Sequence, residues 1–316
     1  MKYLEGCVND FWTDVADLRV VHMSFVYKVA EKGCFFLNKL PGGGPKGNMS
    51  ELISGNEKIK LPRNMYSGLV IKEIIFEGFT VHRIRAQKSK SSSSKAVLFL
   101  PGGGGMARAT KVHYDTAKRL AIRTGAEILI VHYPLAPRHN VRYSLEWLER
   151  FYYYELLKEY RSEDIVFMGD SAGANLILSL AYRLKDKPGS MIVISPACGL
   201  ENGHNRDIRV EMEPKDPILT VAMNDLIAEH WCRNVPLDSP DISPEYIDYT
   251  GFPPMLLFYG THELFYPHVR NYILLLQKNR VFFTAIEKPM CHDWALVKYF
   301  PEGREALIKM VNWIQR

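Results

Sequence analysis

The sequence predicts an α/β protein: a mostly parallel central sheet flanked by helices. Two observations carry this. Hydrophobic residues make up 47% of the 316 residues and charged residues 24%, the proportions of a globular chain and not of a disordered one. From Val70 to the end, short apolar runs alternate with amphipathic segments of about 10–15 residues, the rhythm of a sheet covered on both faces. No internal repeat interrupts it.

The elements follow in chain order. Phe11 to Lys32 sets Phe11, Val15, Leu18, Val21, Phe25 and Val29 at helical spacing, so a helix is expected there. Pro41-Gly-Gly-Gly-Pro45 has little capacity for regular structure and reads as a linker or flap; with no following Gly-Lys-Ser/Thr it is not a phosphate loop. Val70 to Glu77 and Thr80 to Ala86 form paired strands turning near Gly78, and Gln87 to Lys95 is a polar loop. Further strands are expected at Ala96 to Leu100, Glu127 to His132, Ile165 to Met168, Met191 to Ser195, Met255 to Tyr259 and Phe282 to Glu287. Helices are expected near 110–124, 142–160, 172–186, 265–279 and 303–315. Pro196 to Pro254 breaks the rhythm: it holds one clear helical segment, about Val221 to Cys232, and its apolar residues mark it as an ordered insertion.

Composition narrows the function. No apolar run approaches the roughly 18 residues of a membrane span, and the N-terminus carries acids early with no apolar signal region. The net charge of +5, from 40 basic and 35 acidic residues, is spread along the chain, which argues against a nucleic-acid groove. Cys7, Cys34, Cys198, Cys232 and Cys291 form no C-x-x-C pair, so neither a zinc site nor a redox motif is indicated. Reduced thiols in the cytoplasm are the expectation.

The chemistry concentrates in three segments. Gly169-Asp-Ser171-Ala-Gly173 is a G-x-S-x-G between a short strand and a helix. On such a turn the serine hydroxyl stands above the sheet, and the N–H of Ala172 points at the oxygen of a tetrahedral intermediate. A serine needs a base to take its proton and an acid to orient that base, in the chain order Ser, acid, His. Glu263 lies just beyond the strand Met255 to Tyr259, and His292 lies in the loop after the next strand. Both are at strand carboxyl ends, where sites of open α/β sheets form. The competitors are weaker: His132 precedes the serine, His268 reads as a solvated helix start, and Asp293 is too close in sequence to orient the His292 ring. The third segment, Pro101-Gly-Gly-Gly-Gly105, ends a strand with bare backbone N–H groups and fails both phosphate-binding spacings, so an oxyanion hole is the better reading.

With these residues in place the chain resembles the hormone-sensitive-lipase-like group of α/β-hydrolase carboxylesterases, over roughly residues 70 to 316. The Gly-Asp-Ser-Ala-Gly elbow matches in full at 169–173; Tyr133-Pro-Leu-Ala-Pro137, Asp216-Pro-Ile-Leu219, Glu263 and His292 fall in the family's order. The resemblance implies an α/β-hydrolase fold with a helical cap formed by about 1–65 and about 200–235. It implies a Ser171–His292–Glu263 triad, with Gly103, Gly104 and Ala172 as the oxyanion donors. Three departures stand out: Pro101 occupies the place of a family histidine, Arg138 that of an acid, and Glu263 that of the commoner Asp.

The expected function is hydrolysis of short-to-medium acyl esters through an acyl-serine intermediate, with no metal or organic cofactor. Phe11, Trp12, Phe25 and Trp231 are expected to line an apolar acyl pocket. The expected partner is a small-molecule ester, with an edge strand as a candidate homodimer contact. Amide, peptide or lactone hydrolysis on the same triad is the alternative, as is a non-catalytic receptor on the scaffold. Cys291, beside His292, is a thiol of interest.

Overall fold

The computed structural model describes residues 27–28, 61, 67–88, 93–200 and 204–316, with the side chains of 204 and 205 excepted. The expected helix Phe11 to Lys32 falls outside the described residues apart from 27 and 28, which are helical. The Pro41–Pro45 run, Phe11, Trp12 and Phe25 fall outside them as well, as does the first cap segment apart from 27, 28 and 61.

Eight strands make one sheet: β1 (Leu69–Phe76), β2 (Phe79–Ala86), β3 (Ala96–Leu100), β4 (Glu127–Val131), β5 (Ile165–Asp170), β6 (Ser190–Ile194), β7 (Met255–Gly260) and β8 (Phe283–Lys288). Their spatial order is β1-β2-β4-β3-β5-β6-β7-β8. β1 and β2 pair antiparallel, β2 joins β4 antiparallel, and every other pairing is parallel. Among the described residues seven helices of nine or more residues accompany them: α1 (Lys111–Thr124), α2 (Val141–Phe151), α3 (Ala172–Arg183), α4 (His204–Met212), α5 (Val221–His230), α6 (Tyr266–Lys278) and α7 (Pro301–Ile314).

Each central strand splits its residues between two cores. Leu98, Leu129, Phe167, Val193 and Leu257 face the core that holds Trp147 and Phe151 of α2, Leu176 and Ile177 of α3 and Tyr272 of α6. Their neighbours Val97, Ile128, Val166, Ile192 and Leu256 face α1 and α7, against Leu120, Leu307, Met310 and Trp313. The period-2 pleat sorts every strand this way, so these strands read as unbroken apolar runs.

The helix ends are set locally. Thr110 N–H donates to His113 Nδ1 at 2.8 Å, opening α1, and Gly125 at φ 74° closes it in the left-handed conformation. The Asn140 side chain accepts from Tyr143 N–H at 3.0 Å at the start of α2. The helix expected over 142–160 changes pitch after Phe151: a π turn spans Tyr152–Leu156 before the last turn Leu157–Glu159. The insertion holds two helices rather than one. α4 escapes a sequence reading because His204–Met212 is mostly polar, with too few apolar residues to show a period.

The topology places the site. From β3 the chain moves one way to β4, then crosses to the other side for β5. The carboxyl ends of β3 and β5 thus frame a switch-point crevice, where open α/β sheets bind ligands. Among the described residues no helix is long and apolar enough to cross a membrane.

Candidate active site

Ser171 sits between β5 and α3 at φ 51°, ψ −121°. A non-glycine residue held there stores about 1–3 kcal/mol of strain, sustained only by its surroundings. Those surroundings are hydrogen bonds: Ser171 N–H to the Ile194 carbonyl at 3.0 Å, and the Ser171 carbonyl from Ala197 N–H at 3.2 Å and Asn175 N–H at 3.1 Å. Close packing forces the elbow's glycines. A Cβ on Gly173 would overlap the Leu100 carbonyl, and one on Gly169 would overlap the Gly173 backbone.

Asp170, the elbow's second residue, is buried and accepts from His113 Nε2 at 3.0 Å. His113 Nδ1 already accepts from Thr110 N–H, so the neutral ring carries its proton on Nε2. The first turn of α1 is thereby tied to the elbow.

Glu263 and His292 arrive on loops bound to each other. Thr261 N–H donates to the Lys288 carbonyl at 2.9 Å and His262 N–H to the Met290 carbonyl at 3.1 Å. Glu263 is fully buried; its Oε2 lies 3.2 Å from His292 Nδ1, while Oε1 accepts from Ser195 Oγ at 2.6 Å and Gly260 N–H at 2.5 Å. Burial pushes the Glu263 carboxyl up, against the pull of His292, Ser195 and the Gly260 N–H. Burial works against a charged His292 as well, but Asp293, Glu263 and Asp216 outweigh it and push the ring up to about 10. Its Nε2, buried and without a hydrogen-bond partner, is left for whatever enters the cleft.

Ser171, His292, Gly103, Gly104 and Ala172 line one cavity of about 320 Å³, so five of the six expected site residues share a cleft and the sixth, Glu263, holds the ring of His292 from behind. The cleft walls are Ile218, Leu219, Met223, Leu226 and Ile227 from the insertion, with Met106 and Phe265. For Trp231 the expected place in the lining is corrected here. Trp231 is fully buried and packs on Gly105, where a Cβ would overlap its indole, so it supports the glycine loop from outside the cavity.

The glycine loop turns at Gly103 (φ 122°), Gly104 (φ 62°) and Gly105 (φ 66°), all in the region that favours glycine. The Gly103 carbonyl accepts from both Met106 and Ala107 N–H at 3.0 Å. Pro101 brings no donor, but its carbonyl accepts from Tyr133 Oη at 2.7 Å, so the loop base is still anchored. Arg138 is exposed and outside the cavity lining; its reversed charge does not face the site.

Other expectations are revised. His268 is buried in α6, where its ring fills the space beside Gly199, because the chain after Ser195 folds back over the helix start. His132 lies in a buried cluster, its Nε2 3.0 Å from Tyr114 Oη and 3.3 Å from His82 Nδ1, and burial, with His82, Arg108 and His113 nearby, pushes it down to about 3. Cys291 is buried and its thiol held well above the ordinary value, which makes it unreactive. Asp293 does not touch Nδ1; it stands on the opposite nitrogen, Oδ2 3.4 Å from Nε2. Sequence reasoning missed Ser195, which links Glu263 to the Asp293 N–H at 3.1 Å, and missed Asp216 as the acceptor of Leu264 N–H at 2.7 Å. The only sequence signal for Asp216 was its Asp-Pro-x-Leu context.

A doubly flanked, mostly parallel sheet with a strained serine at the β5–α3 turn is the architecture of an α/β hydrolase. The chain belongs to the alpha/beta hydrolase fold family, whose sequence model matches residues 97–296. Among curated relatives, an esterase of Acinetobacter venetianus is 26% identical over 250 residues, covering 77% of this chain and 81% of that protein. The carboxylesterase/phospholipase LipF of Mycobacterium tuberculosis is 32% identical over 145 residues, covering 44% of this chain and 39% of that protein. A crystal structure of an esterase from the bacterial hormone-sensitive lipase family superposes with a TM-score of 0.77 at 20% identity, covering 93% of this chain and 99% of that one. That last likeness is one of fold. The resemblance read from the motifs therefore holds, and the chain is a hydrolase of the esterase class.

Proposed function

We propose that this protein hydrolyses short-to-medium acyl esters with Ser171 as nucleophile, His292 as general base and acid, and Glu263 as the group that orients it. One observation carries the reading: Ser171, held at φ 51°, shares a cleft with a histidine whose Nδ1 is held by a fully buried carboxylate. His292 Nε2 takes the hydroxyl proton as Ser171 Oγ attacks the ester carbonyl. Glu263 keeps the ring's tautomer and stabilises its cationic form. The oxyanion rests on N–H groups of Gly103, Gly104 and Ala172, each donor contributing about 3 kcal/mol of transition-state stabilisation. The alcohol leaves with the proton from Nε2, and water cleaves the acyl-serine by the same steps in reverse.

The segment carrying α4 and α5 acts as a cap over the cleft, and its aliphatic residues receive the acyl chain. A cavity of about 320 Å³ lies at the small end of the range for small-molecule sites, which supports acyl chains of a few carbons over long-chain lipids. Labelling with a fluorophosphonate probe tests the nucleophile. The folded protein is expected to label at Ser171 and to hydrolyse p-nitrophenyl butyrate, with both lost in Ser171→Ala. A folded protein that neither labels nor turns over the ester would instead be a receptor. Faster cleavage of aminoacyl amides than of esters would replace the esterase reading with an amidase.

A further inference from the structure

Asp293 follows the proposed base directly and adopts φ 56°, ψ 22°, a left-handed conformation that Asp tolerates better than most residues. Its N–H is held by Ser195 Oγ at 3.1 Å, which fixes the turn. The result is a carboxylate standing over the nitrogen that faces the cleft: Oδ2 lies 3.4 Å from His292 Nε2. Oδ1 is shielded from water and has no hydrogen-bond partner, and neither has Nε2. Among the described residues that line the cleft Asp293 is the only acid, and no lysine or arginine joins it. Glu263 holds the imidazolium at its other nitrogen, so an ionised Asp293 adds to an apolar cleft a negative charge that the ring alone does not balance.

The position relative to the reaction follows from the proton's route. In the esterase reading, on which this inference rests, the departing alcohol oxygen takes its proton from Nε2 and so lies about 3 Å from it. The departing oxygen then lies within about 6 Å of Asp293 Oδ2, and the first carbon of the alcohol within about 8 Å. We propose that Asp293 is the specificity-determining residue for the alcohol side, and that the site takes esters of amino alcohols whose cationic nitrogen is two or three carbons from the ester oxygen. Anionic alcohols are repelled. Burial pushes this carboxyl up, the His292 ring pulls it down, and Asp170, Glu263 and Asp216 add to the push. A substrate cation joins the pull, so binding and ionisation of Asp293 reinforce each other.

The test compares three butyrate esters on the full chain: choline butyrate, its neutral isostere 3,3-dimethylbutyl butyrate, and the butyrate of 3-hydroxypropanesulfonate. The wild-type kcat/KM is expected to favour the choline ester over the neutral one by at least about tenfold, and the neutral over the anionic ester by a similar factor. In Asp293→Asn both ratios should fall to within about threefold. Asp293→Gly, which keeps the left-handed turn without the charge, should do the same. Equal rates on all three esters in the wild type, or ratios unchanged in both variants, overturn the proposal while leaving the esterase reading in place. That reading fails separately, if the wild type leaves the neutral ester intact and Ser171 unlabelled.

Discussion

Replacing Gly105 by alanine tests how the glycine loop is held. Gly105 has φ 66°, and a Cβ there would overlap the indole of the fully buried Trp231. The left-handed backbone costs an L-residue about 1–2 kcal/mol. Forcing a methyl group against a packed ring costs about 1–3 kcal/mol more. Neither side can yield freely: the Gly105 carbonyl is bonded to Ala136 N–H at 2.9 Å, and the Trp231 carbonyl to Val141 N–H at 2.8 Å. Gly105→Ala should therefore lose about 2–5 kcal/mol in urea unfolding. A loop displaced at Gly104 and Gly103 should also lose about 10²–10³ in kcat on p-nitrophenyl butyrate, the effect of one misplaced oxyanion donor. Trp231→Ala, which empties a fully buried site, should cost about 3–5 kcal/mol. In that background Gly105→Ala should cost only the backbone part, about 1–2 kcal/mol, and the shortfall from additivity measures the contact. If Gly105→Ala costs the same in both backgrounds, the loop is not seated on Trp231 and the reasoning fails.

Further expectations follow from the same site. His292 is pushed up to about 10 from its ordinary 6.5, so the fraction able to accept the serine proton rises with pH, and kcat/KM should climb towards about pH 10. The raised value also means that the charged ring stabilises the fold fully below pH 6.5 and that this contribution is lost as pH rises through about 10. Asp293→Asn removes one of the acids that raise the ring, and the activity limb should move to lower pH; an unmoved profile would show that Asp293 does not act on His292. Ser195→Ala strips one partner each from Glu263 Oε1 and the Asp293 N–H, both buried against the triad loops. It should destabilise the protein by about 1–3 kcal/mol and lower kcat without changing KM, as read by calorimetry and steady-state kinetics.

The strands were legible because each is a short apolar run with the polar punctuation of helix caps and turns around it. Ile165–Asp170 running into Gly169-Asp-Ser171-Ala-Gly173 is such a case, where the glycines permit a sharp strand-to-helix turn. The insertion was less legible. His204–Met212 is a mostly polar helix held by its contacts with α5 and not by its own periodicity. Trp231 shows the same limit from the other side. Its size and apolarity announced burial, but whether it lined the cleft or backed the glycine loop depended on where α5 lies.

The chemistry divides likewise. Residue types in chain order, Ser171, Glu263 and His292, with glycines at 102–105, make the candidate parts legible in the sequence, because a proton relay needs those types and a sheet of this order delivers them to strand ends. The contacts that give each part its environment join residues far apart in the chain: Ser195 to Glu263, Asp216 to Leu264, His113 to Asp170. Local pattern carries no trace of such pairings, since hydrogen bonds across dozens of residues exist only once the loops have converged. Asp293 is the sharpest instance. Adjacent to His292 in sequence, it is too close along the chain to orient the ring through Nδ1, and in the structure Nδ1 meets Glu263 instead. Only a left-handed turn pinned by Ser195 puts its carboxyl group on the other nitrogen, facing the cleft.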